Sequence, residues 1–148
     1  MKKVPTSGKK TLTRVSGRSK IPRGIRKLPV FGRMTLTTGQ ERELDTLWSA
    51  AVKARAGQRC EKCLRSGVRL ESHHFYGRRN KALRHIVSNG FSLCHTHHRQ
   101  AEEQPAIFIE WAIGSRGQEW YWDLQAQSRG IKIFKDYTII KKYLESFL

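Results

Sequence analysis

The chain has 148 residues, enough for one domain with a modest core. Its 29 Lys and Arg against 12 Asp and Glu leave a formal net charge of +17, which points to a polyanionic partner, nucleic acid first. No apolar run of about 18 residues is present, so a membrane span is not expected, and the opening MKKVPTSGKK lacks the apolar stretch of a secretory signal.

The first segment, residues 1–37, reads as a basic arm. Up to Arg33 it carries 11 of the basic residues and no acid, and the first acid is Glu41. The rest of the chain has 18 basic and 12 acidic residues, a net of +6 (18 − 12), so much of the charge sits in the arm. Gly, Ser, Thr and Pro are interleaved, which predicts disorder that orders on a phosphate backbone. The 28-LPVFGRMTL-36 patch is a candidate for docking on the domain.

A helix is expected from Thr38, with Thr38 and Glu41 at capping-box spacing and Leu44, Leu47, Trp48, Ala51 and Val52 forming one apolar stripe; Gly57 ends it. Residues 58–75 read as a knuckle followed by a hairpin, with turns at Gln58–Cys63 and Ser66–Gly67 and a return strand over Val68–Phe75. Residues 76–90 read as a loop with Arg78, Arg79, Lys81 and Arg84 exposed, closed by a turn at Asn89–Gly90. His85 falls in this loop, facing solvent or packing locally, and is assigned no role. A helix follows from near Leu93–Thr96 to about Gln104, and Pro105 suits the first turn of the next, whose apolar face is Ile107, Phe108, Trp111 and Ala112. A turn at Gly114–Gly117, a helix with Trp120, Tyr121 and Leu124 ended by Gly130, and an amphipathic helix over 135–147 complete the chain. These aromatic residues read as core, not as a base-stacking platform.

All three cysteines lie between positions 60 and 94, and all six histidines between 73 and 98. Core packing does not explain such clustering. Cys60 and Cys63 form C-x-x-C, and Cys94 and His97 form C-x-x-H. Without a secretion signal this spacing reads as metal binding in a reducing compartment, the alternative being a reduced C-x-x-C with no metal. Two such pairs close a tetrahedral Cys3His site whose softness and size suit zinc, and with four protein ligands the ion would be structural. Within 94-CHTHH-98, His95 and His98 are the other possible partners of the cysteines; at about 100° per residue a helix turns His95 away from Cys94. His73 and His74 are adjacent on a strand, so their rings face opposite ways.

The order C-x2-C, then H-H on a strand, then N-x4-C-x2-H-H resembles the HNH endonuclease family, whose core is a ββα-metal fold. The matching stretches are 60-CEKC-63, 72-SHHFYGR-78 and 89-NGFSLCHTHH-98, so the resemblance covers roughly residues 58–104 and is greatest to small phage or prophage members. It implies an α+β fold: a small ββα-metal core with a zinc knuckle, flanked by an N-terminal helix and C-terminal helices. The domains would then be the arm at 1–37 and a nuclease domain at 38–148, with its core at 58–104 and a helical extension at 105–148. Carried over residue by residue, His73 and His98 would hold a catalytic divalent ion, His74 would be the general base, and Asn89 would buttress the loop and orient that base. Cys60, Cys63, Cys94 and His97 would hold the zinc.

Elementary chemistry agrees with those roles. A neutral imidazole, with a pKa ordinarily about 6.5, can take a proton from water at physiological pH. A phosphate substrate and few protein ligands suit Mg²⁺, while imidazole ligands favour a transition ion such as Mn²⁺ or Ni²⁺. Arg78, Arg79 and Arg84 flank the motif and are expected to contact phosphate, the plainer alternative being a solvated basic loop. Lys9, Lys10, Arg14, Arg18 and Lys20 of the arm would add sequence-independent affinity. The implied partner is DNA, double- or single-stranded. As in RecA-dependent recombination-enhancement nucleases, which also pair a basic arm with a small HNH domain, a recombinase filament is a further candidate. The implied location is the cytoplasm of a bacterial host. A catalytically silent zinc-stabilised DNA- or RNA-binding module is the competing reading.

Overall fold

The computed structural model describes residues 35–129 and 136–148. Outside them lie Lys9, Lys10, Arg14, Arg18 and Lys20, nearly all of the expected arm, most of the 28–36 patch, and Gly130. The described residues contain five α-helices and one two-stranded antiparallel sheet, an α+β arrangement.

Helix α1 spans Thr38–Arg55. Its capping box is Thr37 with Gln40, one residue earlier than expected: the Thr37 hydroxyl accepts from the Gln40 N–H at 3.3 Å, and Gln40 Oε1 accepts from the Thr37 N–H at 2.9 Å. The shift has a local cause, since Thr37 holds the extended backbone that a capping residue needs while Thr38 is already helical. The stripe Leu44, Trp48, Ala51 and Val52 is buried as the periodicity predicts. The helix ends at Gly57, whose φ of 65° is one that glycine adopts without strain.

Strand β1, Leu70–His74, is shorter than expected and pairs with a strand the sequence did not reveal. That strand, β2, is Gly90–Cys94, with Leu70 opposite Cys94 and His74 opposite Gly90. The expected hairpin within 58–75 reduces to a single bridge between Arg59 and Ser66. Asn89 ends a 3-10 turn, Val87–Asn89, and Gly90 opens β2 in place of the expected Asn89–Gly90 turn. All five residues of β2 are buried, so GFSLC lacks the alternation that marks a strand with one wet face.

Helices α2 (His95–Glu103), α3 (Pro105–Arg116), α4 (Gln118–Arg129) and α5 (Tyr137–Glu145) follow. Helix α3 runs through Gly114, and only Gly117, at φ 89°, makes the turn expected over Gly114–Gly117. Asp136 caps α5 by accepting from the N–H groups of Thr138 and Ile139. No described helix is long and apolar enough to cross a membrane.

The sheet divides two cores. Phe91, Leu93, Phe108 and Ala112 lie on one side with Cys60 and Cys94; Leu44, Trp48, Val52 and Leu144 lie on the other. Leu36, the end of the 28–36 patch, packs on the second. Gly90 is what lets α1 close on the strand, because a Cβ there would stand 2.4 Å from Val52 Cγ2 and 2.6 Å from Trp48 Cζ2. Glu61 ties the knuckle down: one carboxylate oxygen accepts from Arg55 at 2.7 Å and from the Ser92 N–H at 2.8 Å, the other from Arg116 at 2.7 Å.

Candidate metal centre and histidine site

The turn 60-CEKC-63 is closed by backbone bonds from the Leu64 N–H to the Cys60 carbonyl, 2.8 Å, and from the Cys60 N–H to the Arg65 carbonyl, 3.0 Å. The Glu61 N–H clips it to β2 through the Ser92 carbonyl at 2.8 Å. Cys94 ends β2 and caps α2, and His97 lies three residues on, hence over the same helix face. His97 Nδ1 stands 3.4 Å from Cys60 Sγ and 3.2 Å from Cys94 Sγ, and the four ligand atoms of Cys60, Cys63, Cys94 and His97 all lie within 4.8 Å of one another. Bonds of about 2.0–2.3 Å give a tetrahedron with edges of roughly 3.5–3.8 Å, so these residues fit a zinc ion and can hold one. All three cysteines are free thiols. The Arg65 backbone and side chain pull Cys63 down to about 6, favouring the thiolate a metal requires, whereas burial pushes Cys60 up. His95 is not in the cluster: its side chain is 73% exposed and its Nδ1 lies 3.1 Å from Glu71 Oε1.

His73 and His74 diverge as strand neighbours must. His73 faces α2 and α3, its ring centroid 5.1 Å from that of His98 and 4.8 Å from that of Phe108, both edge-on. Burial, then the proximity of His98 and His74, lowers its pKa to about 4. His98 Nδ1 lies 3.4 Å from Glu71 Oε2 and 3.7 Å from Glu102 Oε1. The structure thus brings His73 and His98 side by side, the two residues that the sequence pairs for a divalent ion.

His74 faces α1. Its ring stacks on Trp48, 3.6 Å between centroids and 10° from parallel. Its Nε2 is 3.0 Å from the Arg84 carbonyl. A carbonyl only accepts, so Nε2 carries the proton and Nδ1 keeps its lone pair. Burial brings the His74 pKa to about 4, with the Arg84 carbonyl opposing and Arg78 adding to the fall.

Asn89 is fully buried and grips the segment after β1. Its Oδ1 accepts from the Tyr76 N–H at 2.8 Å, and its Nδ2 donates to the carbonyls of Tyr76 at 3.0 Å and Leu83 at 3.1 Å.

The arginines divide. Arg78 and Arg79 are exposed and have no ion pair among the described residues. Arg84, expected exposed, is not: it chelates Asp45 through Nε at 3.0 Å and Nη2 at 2.7 Å, and reaches Glu41 through Nη1 at 2.9 Å. Two carboxylates on α1 claim the cation. His85 is buried, not solvent-facing, and its Nε2 lies 3.1 Å from Asp45 Oδ1.

Three residues at the site escaped sequence reasoning. Glu71 was legible in principle, being two positions before His73 and so on the same strand face. Trp48 reads in the sequence only as core, and nothing local marks Asp45. No family model, curated protein or solved structure matches the chain.

Proposed function

We propose that the chain is a metal-dependent endonuclease of HNH type that hydrolyses DNA phosphodiester bonds. One observation supports the reading: the adjacent histidines meet different partners, with His74 bonded at Nε2 to the Arg84 carbonyl while His73 meets the ring of His98. His74 Nδ1 is the base that takes a proton from the water attacking phosphorus. Its lowered pKa keeps it neutral at pH 7, and the negative charge of a bound phosphodiester raises it toward the range where a base is most effective. His73 and His98 would hold Mg²⁺ or Mn²⁺, and such an ion when bound supplies Lewis-acid stabilisation of the phosphate and of the leaving 3′ oxygen. Asn89 holds the backbone at Tyr76 and Leu83 in place beside the site. Arg78 and Arg79, exposed and without an ion pair among the described residues, would meet neighbouring phosphates, and the net charge of +17 favours a nucleic acid throughout. The Cys3His site is structural. The role we assign is phage DNA recombination or processing.

The test is incubation of the protein with supercoiled plasmid and Mg²⁺ or Mn²⁺, beside an EDTA control and His74→Ala. Nicking or linearisation should need the metal and fall about 10²–10⁴-fold in the variant. Tight binding without cleavage in either metal, on double- or single-stranded DNA and with or without a recombinase filament, would establish the silent DNA- or RNA-binding module instead.

A further inference from the structure

Helix α1 lies outside the 58–104 stretch that carries the motifs, yet one turn of it surrounds His74. Asp45 and Trp48 are three residues apart and therefore share a helix face. They meet three consecutive residues of the loop. Asp45 chelates the Arg84 guanidinium at 3.0 and 2.7 Å and lies 3.1 Å from His85 Nε2, and the Trp48 indole N–H donates to the Ile86 carbonyl at 3.0 Å. Glu41, one turn earlier, takes the remaining arm of Arg84 at 2.9 Å. The backbone carbonyl of that same Arg84 receives His74 Nε2 at 3.0 Å, while the Trp48 ring lies flat against the imidazole at 3.6 Å. A single helix turn thus holds both the ring and the acceptor that selects its tautomer.

We infer that Asp45 and Trp48 are positioning residues for His74: Asp45 fixes the Arg84 carbonyl that keeps the proton on Nε2, and Trp48 fixes the plane of the ring, so that Nδ1 presents its lone pair in one direction. A purely stabilising role for Asp45 would need none of this convergence on residues 84–86. A carboxylate binding one surface arginine would serve it equally. The inference deepens the nuclease reading and rests on it for the kinetic half of its test.

The experiment uses the full chain with zinc bound and ¹⁵N-labelled histidine. Long-range ¹H–¹⁵N correlation spectra report which ring nitrogen of His74 carries the proton. The wild type should show a single Nε2–H tautomer. Asp45→Asn, which keeps the shape but loses the charge, should populate both tautomers and lower kcat on plasmid roughly 10–100-fold with KM within about twofold, as expected of a misplaced catalytic group. Asp45→Glu, which restores the carboxylate, should recover most of the Nε2–H population. An Nδ1–H tautomer in the wild type overturns the inference without any variant, so it is decided even if Asp45→Asn does not fold. A folded Asp45→Asn protein with an unchanged tautomer overturns it as well. A wild type inactive in every metal would sink the nuclease reading alone, and the tautomer measurement would still decide the positioning.

Discussion

His73–His74 on β1 and His97–His98 on α2 are two pairs of adjacent histidines that the backbone splits in different ways. On the strand the second ring is turned by about 180°, so His73 meets His98 and Phe108 while His74 lies on Trp48 across the sheet. On the helix the turn is about 100°, so His97 swings into the cysteines and His98 stays on the face of Glu71 and His73. The consequence is two clusters of different composition built from neighbouring residues. The Cys3His site is closed: its four ligand atoms face one another, and Cys60 is fully buried. The His73–His98 pair has no cysteine and is bordered by Glu71, Glu102 and the Phe108 ring. In the function we propose, the first cluster holds an ion that maintains the fold and the second an ion that meets a substrate.

The sharpest way to break this comparison is to change the two helix histidines separately. His97→Ala removes one of the four residues that can hold a zinc ion. Structural zinc contributes on the order of 10–16 kcal/mol in finger peptides, against a total stability of roughly 5–15 kcal/mol for an ordinary domain. We expect His97→Ala, or chelation of the wild type, to abolish cooperative thermal unfolding by circular dichroism and to release zinc. His98→Ala, one residue away, should keep the zinc and the melting transition but lose about 10²-fold or more in cleavage, because in the function we propose it takes away an ion-binding imidazole. If both variants unfold, or if both stay folded and lose cleavage alike, the division of labour between the two sites is wrong.

Asn89 tests the join between the sites, since it follows the strand face of one and precedes the cysteine of the other. Its amide satisfies three backbone groups inside a fully buried site. Asn89→Ala should cost about 3 kcal/mol, because the Tyr76 and Leu83 groups are left without partners away from water. Urea denaturation of the zinc-loaded protein would show this as a lower midpoint at unchanged slope.

The elements that were legible in the sequence are those whose signals are local. The α1 stripe, Pro105 at the head of α3 and the amphipathic α5 follow from spacing and caps alone. So does the Cys3His set, since two short-range pairs need only be brought together. Strand β2 was not legible because burial on both sides erases alternation, and the Asn89–Gly90 dipeptide mimicked a turn. Gly90 is there for close packing against Val52 and Trp48, a tertiary requirement with no local sign. Asp45 and Arg84 are 39 residues apart, and a charge gives no hint of its partner over such a distance.

Arg78 and Arg84 turn that last point into the finest test of the comparison between residues that hold the fold and residues that face a ligand. The sequence suggests both as phosphate contacts, yet one is exposed and unpaired among the described residues while the other has a side chain only 13% exposed and two carboxylate partners. Removing one member of a well-buried pair costs about 3–5 kcal/mol, and the partial exposure of Asp45 and Glu41 reduces this, so Arg84→Ala should lose about 2 kcal/mol. Arg78→Ala should stay within about 0.5 kcal/mol of the wild type, as surface substitutions do. Their effects on DNA should run the other way. Loss of one phosphate contact lowers the slope of log affinity against log salt by about 0.9 on duplex DNA, and only Arg78→Ala should do so. Folded Arg84→Ala protein should bind with the wild-type slope, because Arg84's charge is already spent on α1. A shallower slope for Arg84→Ala would mean that DNA draws the guanidinium away from Asp45, and with it the carbonyl that holds His74.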